Sequence, residues 1–225
     1  MKHNPKFIYP KSTRSTVDGQ RHYDLGVAKL PSVTTILSAT QPEEKRKSLE
    51  EWRKRVGVDE AARIVDNSAT RGTAMHKIIE SYLTGQYHLD LTDVGRNAHN
   101  MAQTIIDKGL KDKINEFYGM EAVLYYPDLY AGATDFIAVH NGKDSIIDFK
   151  QSNKPKKKEW IQDYFMQLAA YGMAHDHVYG TKIEKGIILM CTPDNFYQEF
   201  IIEGLEYRKY KHDFLKKIDQ YYGKK

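Results

Sequence analysis

Asp135 closes the glycine-bearing run Ala131-Gly132-Ala133-Thr134-Asp135, and thirteen residues further on Asp148 and Lys150 stand two apart. Successive side chains of a strand point to opposite faces, so a separation of two puts Asp148 and Lys150 on one face. Asn141-Gly142 reads as a hairpin turn, and pairing about it carries Asp135 toward Asp148. Two carboxylates and an ammonium then share one place. Hydrolysis of a phosphodiester uses such a set: hard oxygen ligands hold Mg2+ or Mn2+, the ion neutralises charge on a phosphorane-like transition state, and a lysine orients the attacking water or helps to deprotonate it. An acidic residue two before a lysine also occurs at Glu43 and Lys45, so a surface ion pair is the competing reading of the spacing alone. Context separates the two, because Asp148 follows the apolar Ile146-Ile147, where an unpaired carboxylate is costly. In that setting Asp148, drawn toward a cation, stays ionised, and Lys150, beside a metal in an apolar wall, gives up its proton more readily.

Weaker signals surround this set. His76 and Glu80 stand four apart, a pair that by itself is a helix-surface contact. Gln167 and Tyr171 share that spacing, which lets an amide and a phenol reach one phosphate or base edge, or leaves a core tyrosine beside a satisfied amide. Lys154, Lys156, Lys157 and Lys158 follow closely on Lys150. On a loop they suit contact with a polynucleotide backbone, with a solvated run as the equal alternative. Tyr207 to His212 mixes aromatics with cations, but its helical spacing reads as packing.

The elements that must position these residues change period along the chain. From Pro31 to about Tyr118 the pattern is helical. Ser32 is the first cap, Pro42-Glu43-Glu44 opens a charged helix with Leu49, Trp52 and Val56 on one face, and Ser68 opens another that Gly85 ends. A third helix is predicted from Asn97 to Tyr118, bent near Gly109. From Glu121 the runs Val123–Tyr126, Thr134–Val139 and Ser145–Lys150 read as a three-strand meander broken at Pro127-Asp128 and Asn141-Gly142. A helix from Glu159 to Tyr179, strands over Ile183–Cys191 and Phe196–Ile202, and a terminal helix over Leu205–Tyr222 complete an order of helices followed by βββαββα. The expected organisation is an N-terminal arm over 1–30, a helical region covering the active site over 31–118, and a core over 119–225, integrated as one domain.

Composition bounds the classes open to such a chain. With 225 residues, 40% hydrophobic and 28% charged, it can bury a core. The formal charge of +4 is compatible with a polyanionic partner and only weakly indicates one. Its single cysteine, Cys191, excludes an internal disulfide and a four-cysteine iron–sulfur cluster. No run is long and apolar enough for a membrane span or a secretory leader, so a soluble protein with no membrane partner is expected. The basic stretch before Asp18 faintly resembles an organelle transit peptide, but Pro5 and Pro10 favour a basic arm. No Gly-x-x-x-x-Gly-Lys loop occurs, so no nucleotide cofactor is expected.

The motifs, taken in order, resemble the PD-(D/E)XK nuclease superfamily in its RecB-like exonuclease branch, nearest the exonucleases that maintain mitochondrial genomes and their phage relatives. Gly132-Ala133-Thr134-Asp135 fits Gly-x-x-Asp, Ile147-Asp148-Phe149-Lys150 fits the Asp/Glu-x-Lys strand, and Gln167-Leu168-Ala169-Ala170-Tyr171 fits the Gln-x-x-x-Tyr helix. Gly72 to His76 fits a Gly-x-x-x-His element and Pro31-Ser32-Val33-Thr34 an N-terminal one, so the likeness spans about residues 30 to 203. The resemblance implies an α/β restriction-endonuclease-like core, a mixed central βββαββ sheet, with an N-terminal helical elaboration that arches over the site. It makes Asp135, Asp148 and Lys150 catalytic, with Asp135, Asp148 and the Phe149 carbonyl as metal ligands. His76 becomes a metal ligand or a hydrogen-bond partner of the site, and Glu121 a further candidate metal ligand, with a solvent-facing strand edge as its alternative. Gln167, Tyr171, Arg71, Ser152, Lys154 and Lys156 are the substrate contacts it leads one to expect.

The implied activity is metal-dependent DNA hydrolysis from free single-stranded ends, with Mg2+ or Mn2+, in phage or genome DNA processing, recombination or repair. A helicase, polymerase or recombination protein is the expected partner. The expected compartment is the cytoplasm, a host's for a phage protein, or the mitochondrion for a eukaryotic one. The branch members that hold an iron–sulfur cluster through four cysteines are excluded. A structure-specific or restriction-type endonuclease, and a nucleic-acid-binding module with a degenerate site, are the rival readings.

Overall fold

The computed structural model describes residues 1–223. Where the sequence predicts a basic arm, the chain forms strands β1 (Lys2–His3), β2 (Thr13–Val17), β3 (Gln20–Asp24) and β4 (Lys29–Pro31). β2, β3 and β4 make a small antiparallel sheet. Its first turn is Asp18-Gly19, both at positive φ (50° and 75°), the geometry that two-residue hairpins require. Apolar burial pins this segment down: Tyr23 and Leu30 are buried, Phe7 packs edge-on to His175, and the Tyr9 hydroxyl meets His175 Nε2 at 3.2 Å.

α1 (Val33–Ala39) begins as predicted, with the Ser32 hydroxyl accepting from the Thr35 N–H at 2.9 Å. α2 (Glu43–Val56) buries none of its residues, so the expected Leu49, Trp52 and Val56 face packs into no core. α3 (Val58–Thr84) runs unbroken through Ser68, which starts no helix; the start is at Gly57 and the end at Gly85, in the left-handed conformation. α4 (Asp93–Ile105) passes into a π-helical turn over Ile106–Leu110. The helix expected to reach Tyr118 stops there, and β5 (Ile114–Tyr126) takes over. Two register shifts, between Ile114 and Glu116 and between Phe117 and Gly119, break the alternation of β5. Buried Ile114 and Phe117 therefore recur at a helix-like interval of three.

β6 (Tyr130–His140), β7 (Lys143–Gln151), α5 (Gln162–Tyr179), β8 (Lys185–Cys191), β9 (Tyr197–Glu203) and α6 (Leu205–Tyr222) complete the βββαββα order. The six-stranded sheet runs β1-β5-β6-β7-β8-β9. β1 is parallel to β5 and β7 to β8, the other pairs being antiparallel. A parallel neighbour needs a crossover, and α5 supplies it between β7 and β8. α1, α5 and α6 cover one face through residues such as Ile36, Phe165, Leu168 and Phe214; Met75, Ile79, Met101 and Ile105 of α3 and α4 cover the other against Phe136, Ile147 and Phe149. This is a mixed α/β core, a central mixed sheet with helices on both faces, carrying an N-terminal elaboration. Among the described residues no helix is long and apolar enough to cross a membrane.

Candidate active site

The hairpin of β6 and β7 turns at Asn141-Gly142, with His140 opposite Lys143, and its ladder ends at Phe136 opposite Ile147. Asp135 and Asp148 are the next residues in that register, at the point where the two strands part. The backbone N–H of Phe149 is taken there by the Asp135 carboxylate, Oδ2 accepting at 2.8 Å. On β7 the period of two holds, and the Lys150 ammonium lies 2.5 Å from Asp148 Oδ2.

Asp148 is 2% exposed. Burial pushes its carboxyl up to about 6, against the pull of Lys150, so it sits closer to protonation than a carboxylate simply drawn to a cation. Lys150 also departs from expectation. Burial alone would lower it, but Asp148 and Asp135 outweigh that cost and raise the ammonium above its ordinary value, so it holds its proton more firmly.

His76, on the inner side of α3, reaches the same place. Its Nε2 is 2.9 Å from the Phe149 carbonyl oxygen and its Nδ1 3.7 Å from Asp135 Oδ2. A carbonyl only accepts, so Nε2 carries the hydrogen, and Nδ1 is the ring nitrogen that faces the carboxylates. The Phe149 carbonyl, expected as a ligand, already accepts this bond. Glu121 stands across from Asp135 on β5 and has φ +46°, a strained conformation for a glutamate within a strand. Glu121 is an exposed residue, as its solvent-facing alternative expected, yet desolvation by its surroundings pushes its carboxyl up, with His76 pulling the other way. One donor atom each from His76, Glu121 and Asp135 lie within 4.8 Å of one another. An imidazole nitrogen and two carboxylates fit a divalent cation of the Mg2+ or Mn2+ class, the nitrogen favouring Mn2+.

The remaining expected contacts divide. Arg71 donates to Gln151 Oε1 at 2.9 and 3.1 Å and to Asn153, so its guanidinium joins α3 to the segment after β7. Ser152 is buried and donates its hydroxyl to the Lys154 carbonyl at 2.7 Å, which shapes the loop and turns Ser152 away from solvent. Tyr171 is 3% exposed and accepts from the Gln167 amide at 3.2 Å. Its ring lies against Gly132, where a Cβ would come within 2.8 Å of it, so it packs in the core behind the site. Lys154 is open to solvent, and Lys156 partly so. The sequence reading missed Tyr164, whose ring centroid is 5.1 Å from Lys150 Nζ. The signal was present: Tyr164 continues the face of Gln167 and Tyr171 by one turn toward the start of α5.

No family model matches the chain. Mitochondrial genome maintenance exonuclease 1 of Mus musculus is 30% identical over 205 residues, 85% of this chain and 59% of its own length. The Homo sapiens protein is 30% identical over 175 residues, 73% of this chain and 50% of its own length. The chain is homologous to these exonucleases. It spans half to three-fifths of their length. Among solved structures, a Eubacterium rectale protein assigned as an exonuclease aligns with TM-score 0.45 and 16% identity over 68% of this chain and 65% of its own. LHK-Exo in complex with dAMP aligns with TM-score 0.36 and 17% identity over 67% of this chain and 76% of its own.

Proposed function

We propose that the chain is a metal-dependent DNA exonuclease that works from free single-stranded ends. The observation that carries the reading is the fork between β6 and β7, where Asp135, Asp148 and Lys150 meet His76 of α3 and Glu121 of β5. The names of the homologous proteins favour DNA and exonuclease action. His76 Nδ1, Asp135 and Glu121 would hold the cation, Asp148 closing the site behind them. Bound there, Mg2+ or Mn2+ supplies charge neutralisation for the phosphoryl group and acidifies a water.

The chain's own groups do the rest. Lys150, kept as an ammonium by Asp148 and Asp135, donates toward a non-bridging oxygen of the scissile phosphate and stabilises charge that grows in the transition state. Asp148, with its carboxyl near 6, is ionised at neutral pH and holds the Lys150 ammonium in place by a direct ion pair. His76 Nε2, bonded to the Phe149 carbonyl, fixes the ring so that Nδ1 keeps its direction.

Preference for a free end is supported by α2 and the start of α3, which bury little and meet the core through the Lys45–Asp163 pair and the Ser68 and Arg71 bonds to Asn153. On this reading a strand that runs between those contacts to the site would enter by a free end. The test is loss of linear against covalently closed circular single-stranded DNA of matched sequence, with Mg2+, on a denaturing gel. Linear DNA is expected to disappear while the circle persists; comparable rates would replace the exonuclease with an endonuclease on the same site.

A further inference from the structure

The loop between β7 and α5 is tied at both ends to Lys150: β7 carries the lysine itself, and Tyr164 in the first turn of α5 returns to within 5.1 Å of its Nζ. Between these ends runs Asn153-Lys154-Pro155-Lys156-Lys157-Lys158-Glu159-Trp160. It is held as a built surface. The Gln198 amide on edge strand β9 pairs with the backbone of Lys156 in both directions, accepting from its N–H and donating to its carbonyl, each at 2.8 Å. Ser152 ties the carbonyl of Lys154 at 2.7 Å, and a 3-10 turn closed by the Trp160 N–H on the Lys157 carbonyl at 3.0 Å fixes the tryptophan.

The cations divide by use. Lys158 is paired with Glu206 at 2.8 Å. Lys154, Lys156 and Lys157 have no ion pair among the described residues, and Lys157 Nζ stands 5.3 Å from the Trp160 ring centroid. Trp160 is 57% exposed, an uncommon position for the largest aromatic unless a partner covers it. An open indole set among unneutralised ammonium groups is the combination that holds single strands, bases stacking on the ring and phosphates meeting the cations.

We propose that Trp160 with Lys154, Lys156 and Lys157, held in place by Gln198, forms a single-strand binding platform that grips the polynucleotide outside the scissile phosphate. The substrate class rests on the nuclease reading above, while the surface stands on its own geometry. Its position places it beside the site: three residues past Trp160, Asp163 pairs with Lys45 of α2, so the platform adjoins the contact between α2 and the core.

The test is anisotropy of a fluorescein-labelled single-stranded oligonucleotide with the Asp148→Asn chain in Mg2+, with and without added platform substitutions. Trp160→Ala should weaken binding about tenfold, within the range that loss of one stacking aromatic produces, and Trp160→Phe should recover most of it. Replacing Lys154, Lys156 and Lys157 together with alanine should lower the slope of log affinity against log salt by about 2, at roughly 0.7 per single-strand phosphate contact. In the otherwise unaltered chain, hydrolysis of bis(p-nitrophenyl) phosphate should be unchanged by Trp160→Ala, since that substrate is too small to reach the ring. Unaltered oligonucleotide affinity in both Trp160→Ala and the triple variant overturns the platform and leaves the nuclease reading intact. Weakened binding in these variants of a chain that hydrolyses no phosphodiester with any divalent cation keeps the platform and overturns the nuclease.

Discussion

Gly132 lies three residues before Asp135 and its α-carbon faces the ring of Tyr171. A Cβ there would stand 2.8 Å from Tyr171 Cε1 and 2.9 Å from its hydroxyl oxygen, whereas carbon atoms in contact prefer about 3.5 to 4.0 Å. The overlap is therefore roughly 0.7 to 1.2 Å on a ring that is itself buried between α5 and the sheet. Overpacking of this size costs about 1–3 kcal/mol. Gly132 has no positive φ to lose, so alanine recovers about 0.4–1 kcal/mol through the unfolded chain. The net expectation for Gly132→Ala is a destabilisation of about 1–2 kcal/mol, read from the urea midpoint by circular dichroism. A companion change isolates the cause. Tyr171→Leu destabilises by leaving a void, but it also withdraws the atoms that the new methyl meets, so the double variant should be more stable than the sum of the singles by about 1 kcal/mol or more. Additivity within about 0.5 kcal/mol would refute the steric account, as would a neutral Gly132→Ala.

Further outcomes follow from the site and the core. Asp135→Ala, Asp148→Ala and Lys150→Ala should each lower cleavage by about 100-fold or more while single-strand binding is largely kept, because these groups serve the transition state; normal turnover in Asp148→Ala would sink the assignment. Mn2+ and Mg2+ should support cleavage and Ca2+ binding with little turnover, and His76→Ala should weaken Mn2+ affinity by about tenfold or more in calorimetry; full activity in chelator would exclude the mechanism. His175 is buried beneath Phe7 and Tyr9, and burial lowers it from 6.5 to about 4. The unfolded chain therefore binds more protons between those values, and stability is full above about pH 6.5 and declines as pH falls toward 4. By about pH 5 the loss should approach 2 kcal/mol, seen in urea midpoints, and His175→Gln should flatten that part of the profile.

Much of the core was legible because its signals are local. Asn141-Gly142 and the period of two in Ser145–Lys150 are enough to bring Asp135, Asp148 and Lys150 to one place, and the register, with His140 opposite Lys143, carries it out. Asp18-Gly19 carries the same kind of signal for the β2–β3 hairpin, but the reading of 1–30 as an arm rested on its charge and on Pro5 and Pro10, which lie outside that hairpin. β5 misled for a different reason, since its two register shifts give a strand the spacing of a helix. The face of Leu49, Trp52 and Val56 is amphipathic as read, but periodicity says which residues share a face and not whether anything will cover it.

The same distinction explains the site. Lys150 was placed on its strand correctly, yet its proton depends on the balance between burial and two carboxylates, one of which arrives from β6. Glu121 was a candidate only through the resemblance, with a solvent-facing edge as its alternative, and its positive φ, across from Asp135, accompanies a carboxylate placed near His76. Tyr171 and Gln167 were read either as reaching for substrate, which the resemblance favoured, or as a core tyrosine beside a satisfied amide; the buried ring against Gly132 and the Gln167–Tyr171 bond have the second form. A glycine three residues before Asp135 thus has a structural use of its own: it lets α5 pack close behind β6, and the same helix presents Tyr164 to Lys150. The Gly-x-x-Asp and Gln-x-x-x-Tyr elements are therefore two halves of one packing contact, and a substitution in either half should be felt first in the seating of α5 on β6.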